Sequence, residues 1–110
     1  MSQNTVVITD ATFQQEVLES TLPVLVDFWS PTCAPCRRMM PTIESVAQEY
    51  DGRVKVAKID TTDGPETAAQ FQVEYIPTVI LFRGGQVVDR AQGLQPKSRL
   101  VEMLNLVAPA

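Results

Sequence analysis

The chain contains no histidine and only two cysteines among its 110 residues. The missing histidine excludes Cys-His nucleophile pairs, histidine general bases and histidine metal ligands within this chain, so another residue type must assist any cysteine chemistry. Two cysteines cannot form the set of disulfides that holds small secreted domains together. The close spacing of Cys33 and Cys36 therefore needs a local explanation.

Positive charge and long apolar runs are also scarce. Lys and Arg number 9 against 13 Asp and Glu, which gives a net charge of -4. Such a charge repels phosphate backbones and anionic lipid, so we expect no nucleic acid and no membrane among the partners. No apolar run approaches the length of a membrane span, and the polar, uncharged first residues do not resemble a secretory signal. We expect a cytoplasmic protein.

The length and the periodicity of apolar residues predict one α/β domain over residues 1–110. The element order is βαβαβαββα, with strands at 6–8, 24–29, 54–59, 78–82 and 87–88. The helices are predicted to begin after a cap at Thr9 or Asp10, at Cys36, at Pro65 and at Pro96, the last burying Leu100, Val101, Leu104 and Val107. We expect a mixed sheet with helices on both faces, parallel where helices join strands and antiparallel at the 83–86 hairpin turn.

The elements on either side of the cysteines are the most distinctive. Residues 24–29 form a nearly continuous apolar run, which is typical of a strand covered on both faces and predicts a central strand. The helix from Cys36 carries an apolar stripe that continues in phase past Pro41 to a stop near 51–52. We therefore expect Pro41 to kink this helix without breaking it.

The two cysteines lie between that strand and that helix. A helix N-terminus stabilises negative charge, so a thiolate at Cys33 is favoured and Cys33 is the expected nucleophile. The two-residue spacer lets Cys36 attack the Cys33 sulfur, which makes Cys36 the expected resolving thiol. Pro35 stiffens the first turn, where its missing N–H costs nothing. The pattern favours thiol-disulfide exchange.

Two other interpretations of the pair stay open at this point. Half of a zinc site would have to be completed by another molecule, because the chain supplies no further cysteine and no histidine. Two buried structural cysteines are the second alternative. The position between a strand and a helix favours exchange over both.

Asp27 is unusual because it interrupts the apolar run of the central strand, where a buried carboxylate is costly. Burial would raise its pKa, and Asp27 could then accept the proton of Cys36. Lys58, near the end of the 54–59 strand, could pair with it. The alternatives are an Asp27 at a solvent-facing strand end and a solvated Lys58.

Several motifs together resemble the thioredoxin family over essentially the whole chain. They are, in order, Asp27-Phe28-Trp29, Cys33-Ala34-Pro35-Cys36, Arg37, Pro41, Lys58, Ile76-Pro77-Thr78, Phe82 with Gly84-Gly85, and Gly93. The resemblance implies the thioredoxin fold, a central mixed sheet of about five strands flanked by four α-helices. It implies that the peptide bond before Pro77 is cis and that Pro77 faces the two cysteines. By the same resemblance, Asp27 and Lys58 form a buried pair that controls the protonation of Cys36. It also implies that Trp29 packs beside the active site and that Ile76, Pro77 and Gly93 line a groove for the substrate chain.

Three positions depart from the family pattern at the expected docking surface. Thr32 stands where a tryptophan is common, and Ala34 and Tyr75 stand where glycine is usual. A methyl group and a ring would crowd a groove built for close backbone approach, while Thr32 removes apolar contact area. The hypothesis is an altered choice of partners with unchanged chemistry, and the alternative is neutral variation. Pro35 is also expected to belong to the substrate-binding surface.

The function implied is a thiol-disulfide oxidoreductase that reduces protein disulfides through Cys33 and Cys36. It would be a monomeric electron carrier rather than a stand-alone enzyme, without metal or cofactor of its own. A separate thioredoxin reductase, a flavoprotein or a ferredoxin-linked enzyme, would regenerate the dithiol. An oxidant or isomerase is less favoured because the spacer lacks histidine, and a binding scaffold with incidental cysteines is the alternative from another class.

Overall fold

A computed structural model describes residues 4–108, so the first three residues of the polar N-terminus lie outside the described part. Five strands and four helical segments follow one another in the predicted order. They are β1 (Thr5–Ile8), a π-helical turn (Gln14–Leu18), β2 (Val24–Trp29), α1 (Ala34–Glu49), β3 (Lys55–Asp60), α2 (Pro65–Gln70), β4 (Thr78–Arg83), β5 (Gln86–Gln92) and α3 (Lys97–Leu104). The α/β fold class is confirmed, although the first helix is of the π type.

The strands form one sheet in the order β1-β3-β2-β4-β5, with β2 at its centre. β1 and β2 run parallel to β3, and β4 runs antiparallel to β2 and β5. The predicted central strand is thus confirmed, and its residues 24–28 are all buried. An uninterrupted apolar run suits this place because both faces of β2 are covered.

One expectation about strand direction is wrong. β3 and β4 are joined through α2, yet β4 enters the sheet antiparallel to β2 and does not pair with β3. A parallel return would carry the chain back along β3 to the amino end of β2 before the next strand begins. Here the segment after α2 instead ends beside the carboxyl end of β2, where Thr78 starts β4 opposite Phe28. β4 therefore runs in the opposite direction to β2.

The sheet separates two apolar cores. The first, here the α1–α3 core, holds side chains of α1 and α3 against Leu25, Val56, Val79 and Leu81. The second, here the aromatic core, lies on the other face, where the rings of Phe13, Phe71 and Phe82 meet with centroids 5.2 to 5.7 Å apart. Alternate residues of each strand supply the two cores, as strand geometry requires.

The helix boundaries correct two expectations. The π-helical turn begins after Phe13 without a side-chain cap, because a turn from Thr9 to Thr12 delays its start. The carboxylate of Asp10 instead accepts the backbone N–H groups of Glu66 and Thr67 at the start of α2, at 3.1 and 2.8 Å. α3 ends at Leu104, and Val107 packs on the α1–α3 core from beyond the helix. Within residues 4–108, no helix has the length and apolar character needed to cross a membrane.

Candidate active site

Cys33 and Cys36 form a disulfide with their Cα atoms 5.2 Å apart. Cys33 has extended backbone and is the N-cap of α1, and its sulfur accepts the backbone N–H of Cys36 at 3.2 Å. Its side chain is half-buried, whereas Cys36 is fully buried. Of the two sulfurs, that of Cys33 is therefore the one a partner can reach, and it already has a donor that would stabilise a thiolate.

The loop between β2 and α1 holds Cys33 in this position. The Cys33 N–H donates to the carbonyl of Ser30 at 3.1 Å. The guanidinium of Arg37, one turn into α1, reaches back and donates to the carbonyl of Pro31 at 2.8 Å. Pro35 occupies the first turn of α1, as predicted, where no donor is lost. The contribution of Arg37 was missed from sequence, because nothing in the spacing shows that its side chain folds back.

A second segment, distant in sequence, faces the disulfide. The carbonyl oxygen of Ile76 lies 3.8 Å from the Cys33 sulfur. The Ile76–Pro77 peptide bond is cis, as the family resemblance implied. The Gly93 N–H donates to the Pro77 carbonyl at 2.7 Å, and the φ of Gly93 is +85°, a conformation that suits glycine. The structure thus brings Cys33, Ile76, Pro77 and Gly93 together.

Asp27 is fully buried in β2, and neither of its carboxylate oxygens has a hydrogen-bond partner. Burial raises the pKa of Asp27 from 3.8 to about 7, and the positive charge of Lys58 opposes part of this rise. Its β2 neighbour on the same face, Leu25, belongs to the α1–α3 core. Because side chains two residues apart share a face, Asp27 points toward the layer that contains α1 and Cys36. The solvent-facing alternative for Asp27 is excluded.

Lys58 lies beside Asp27, since the two residues are register partners in the parallel pair β2 and β3. It is half-buried, and its Nζ lies 5.8 Å from the ring centroid of Trp29. The Asp27 carboxylate accepts no hydrogen bond from it. The predicted pairing is therefore an electrostatic interaction through space and not a hydrogen-bonded ion pair.

Three further predicted residues are exposed and lie on the segments that carry Cys33 and Ile76. Thr32 and Ala34 are exposed, and the Thr32 hydroxyl lies 3.0 Å from that of Ser30. Tyr75 is 68% exposed. Leu94, directly after Gly93, is 52% exposed and was missed from sequence, although an apolar residue next to that glycine was a usable sign.

No group of three or more cysteine, aspartate or glutamate side chains within residues 4–108 is arranged to hold a metal ion. The two cysteines are bonded to each other. The reactive groups that the described residues bring to this site are the disulfide, with its accessible Cys33 sulfur, and the buried carboxyl group of Asp27.

Comparisons with known proteins agree with this geometry. The family model described as Thioredoxin matches residues 4–106. Thioredoxin 1 of Nostoc sp. is 48% identical over 97 residues, which cover 88% of this chain and 91% of the relative. Thioredoxin 1 of Synechococcus elongatus is 49% identical over 98 residues, 89% of this chain and 92% of the relative. The bifunctional thioredoxin reductase/thioredoxin of Mycobacterium leprae is 47% identical over 105 residues, which are 96% of this chain and 23% of that protein.

A family match over nearly the whole chain, close relatives of almost the same length and a disulfide at the start of α1 lead to one conclusion. This chain belongs to the thioredoxin family and is a thiol-disulfide oxidoreductase with a redox-active cysteine pair.

Proposed function

We propose that this protein, acting as a monomeric single domain over residues 1–110, carries electrons to the disulfides of other proteins. The observation that supports the proposal most directly is the asymmetry of the pair. Cys33 is half-buried with its sulfur next to a backbone donor, whereas Cys36 is fully buried. Attack on a large partner requires one reachable sulfur, and internal release requires a second one close to it.

The reaction has two exchange steps. The Cys33 thiolate attacks one sulfur of the target disulfide, forms a mixed disulfide and releases the other target sulfur as a thiolate, which takes a proton from water. Cys36 then gives its proton to Asp27, and the Cys36 thiolate attacks the Cys33 sulfur. This forms the Cys33–Cys36 disulfide and releases the second target sulfur as a thiolate, which takes up a proton. The target gains two electrons and two protons, and this protein becomes oxidised.

Asp27 is the proposed proton acceptor for Cys36. A carboxyl group with a pKa of about 7 can take up and release a proton at neutral pH, which an ordinary aspartate does poorly. Lys58 opposes the rise of this pKa and so sets how readily Asp27 ionises. In this proposal Asp27 accepts and releases the proton of Cys36. Lys58 acts through Asp27, because its positive charge lowers the pKa of that carboxyl group.

The dithiol must be regenerated by a separate reductase. One relative is a bifunctional thioredoxin reductase/thioredoxin, so its name places a reductase and a thioredoxin in one protein. We propose that a thioredoxin reductase, a flavoprotein or a ferredoxin-linked enzyme, serves this chain in the cytoplasm. The proposed surface for targets and reductase consists of Trp29, Thr32, Ala34, Pro35, Tyr75, Ile76, Pro77 and Gly93.

Covalent trapping tests the proposal. Cys36→Ser protein should retain mixed disulfides on Cys33 when incubated with lysate, and the captured proteins should be released by dithiothreitol. Cys33→Ser is the matched control and should capture nothing, because the buried Cys36 is unreachable. Asp27→Asn, with both cysteines present, should accumulate the same mixed disulfides more weakly, because Cys36 loses its proton acceptor. Equal yields from Cys36→Ser and Cys33→Ser would contradict the assignment.

A further inference from the structure

An exposed aromatic side chain stands next to the carbonyl group that is close to the disulfide. Tyr75 is 68% exposed and directly precedes Ile76, whose carbonyl oxygen is 3.8 Å from the Cys33 sulfur. The hydroxyl of Thr78 donates to the Tyr75 carbonyl at 2.6 Å, which fixes the backbone at this point. The ring is therefore presented to solvent from an anchored segment.

An exposed leucine is placed in the same way on the neighbouring segment. Leu94 is 52% exposed and follows Gly93, whose N–H donates to the Pro77 carbonyl at 2.7 Å. On its other side, the Gln95 N–H donates to the buried sulfur of Met39 at 3.4 Å. Single apolar residues are common on protein surfaces. These two differ because both flank one hydrogen-bonded pair of segments: Tyr75 precedes Ile76, whose carbonyl oxygen lies 3.8 Å from the Cys33 sulfur, and Leu94 follows Gly93, which is hydrogen-bonded to Pro77.

The loop that precedes Cys33 is polar. The hydroxyls of Ser30 and Thr32 lie 3.0 Å apart and both belong to exposed or half-buried residues. The Arg37 guanidinium covers the Pro31 carbonyl in this loop. A target that binds at Cys33 thus meets hydroxyl groups from the loop before α1 and apolar side chains from the segments that hold Tyr75 and Leu94.

We propose that Tyr75 and Leu94 are specificity-determining residues that favour target disulfides with a large apolar side chain two residues from the attacked cysteine. The inference rests on the proposed function, because it assigns the targets of the same site. In an extended segment, side chains two residues apart point to the same side and lie about 7 Å from each other. A residue at that position faces this protein together with the cysteine, whereas its immediate neighbours point away.

The expected size of the preference follows from the contact. Docking of an aromatic or aliphatic side chain against the Tyr75 ring removes apolar surface of both partners from water. Aromatic pairs add a favourable ring interaction beyond this, so we expect a rate advantage of about 3- to 10-fold over a polar side chain.

Three disulfide-linked peptide dimers test the inference. Each peptide has one cysteine in a polar sequence; the first carries Phe two residues to either side of it, the second carries Phe at the two adjacent positions, and the third carries Ser at all four. The protein is reduced with dithiothreitol, freed of reagent and mixed with each dimer, and acid-quenched samples are analysed by mass spectrometry. Reduction of the first dimer should be about 3- to 10-fold faster than that of the other two.

Variants assign the preference to residues. In the double variant Tyr75→Ser with Leu94→Ser, the three rates should fall within about 2-fold of one another, whereas Tyr75→Phe should keep the wild-type ratio. Leu106→Ser is the matched control, since Leu106 is 57% exposed and follows α3, and it should leave all three rates unchanged. Far-UV circular dichroism verifies that each variant is folded.

The outcomes separate this inference from the proposed function. Equal wild-type rates for the three dimers, or a preference that survives in the double variant, would overturn the inference and leave the exchange chemistry in place. Failure of the pre-reduced protein to reduce any of the dimers would overturn the proposed function and this inference with it.

Discussion

At the scale of single residues, Asp27 combines the cost of burial with a pKa near neutral pH. An unfolded chain ionises this carboxyl group near 3.8, whereas the folded protein does so near 7. Between these values the folded state holds a proton that the unfolded state has released. The contribution of Asp27 to stability is therefore fully present below pH 4, falls as the pH rises to 7, and levels off above it. The total loss corresponds to on the order of 4 kcal/mol.

Replacement of Asp27 by asparagine should remove this pH dependence. The amide stays neutral but carries its own cost as an unpartnered buried group, so the oxidised variant should be less stable than the wild type at pH 4 by about 1 to 3 kcal/mol. At pH 8, where the wild type has lost its contribution from the protonated carboxyl group, the variant should be the more stable protein by about 1 to 3 kcal/mol. Urea unfolding of both proteins from pH 4 to pH 8 measures the effect. Asp51→Asn, at an exposed aspartate beyond α1, should keep the wild-type slope. A slope that persists in Asp27→Asn would refute the assignment to this carboxyl group.

Much of the site could be predicted at this scale, and the reason is physical. Asp27 could be identified because a charged residue in an apolar run is costly to bury. The cysteine pair could be identified because two cysteines so close together cannot belong to a set of structural disulfides. The fold-back of Arg37 and the position of Leu94 could not be predicted in this way. Both depend on loop conformations set by distant segments, which leave no periodic pattern.

At the scale of elements, α1 continues through Pro41, as the uninterrupted apolar stripe predicted. Pro41 lacks the N–H that would bond the carbonyl of Arg37 four residues earlier, and its ring is exposed. Pro41→Ala should restore this bond and raise the free energy of unfolding by about 1 to 3 kcal/mol. The gain comes from the higher helix propensity of alanine, and it is reduced by the greater conformational entropy of the unfolded chain without the proline.

Pro35 offers the same substitution in the same helix as a control. It lies in the first turn of α1, where a backbone N–H has no partner within the helix. Pro35→Ala should therefore give no gain, and the looser unfolded chain should lower stability by up to about 1 kcal/mol. Urea unfolding of the oxidised proteins compares the two. A stabilisation by Pro35→Ala equal to that by Pro41→Ala would show that the position within the helix does not matter.

Strands and helices differed in how well their bounds could be predicted. β2 and β4 were located to within a residue, because strands covered on both faces have continuous apolar runs. β5 extends to Gln92, well beyond the predicted 87–88, since a largely exposed edge strand carries no such pattern. The cap that Asp10 provides for α2 joins residues more than fifty positions apart, so no local sequence motif could predict it.

At the scale of the whole molecule, the two cores share one sheet, and neighbouring residues of β4 serve different cores. Leu81 belongs to the α1–α3 core and Ile80 to the aromatic core, and both are fully buried. Leu81→Ala and Ile80→Ala should each lower the free energy of unfolding by about 2 to 5 kcal/mol, because each leaves a cavity. Leu106→Ala, at a 57% exposed leucine, should change it by less than about 0.5 kcal/mol.

The shared sheet also predicts how unfolding proceeds. Because the strands contribute alternate side chains to both cores, neither core can lose its packing while the other keeps its strands in place. Far-UV circular dichroism, which follows all helices, and fluorescence of Trp29, the only tryptophan, should therefore give coincident urea transitions in the wild type and in both core variants. If Leu81→Ala separated the two transitions, the α1–α3 core would unfold as an independent unit. Coincident transitions with equal midpoints would support one cooperative domain built around β2.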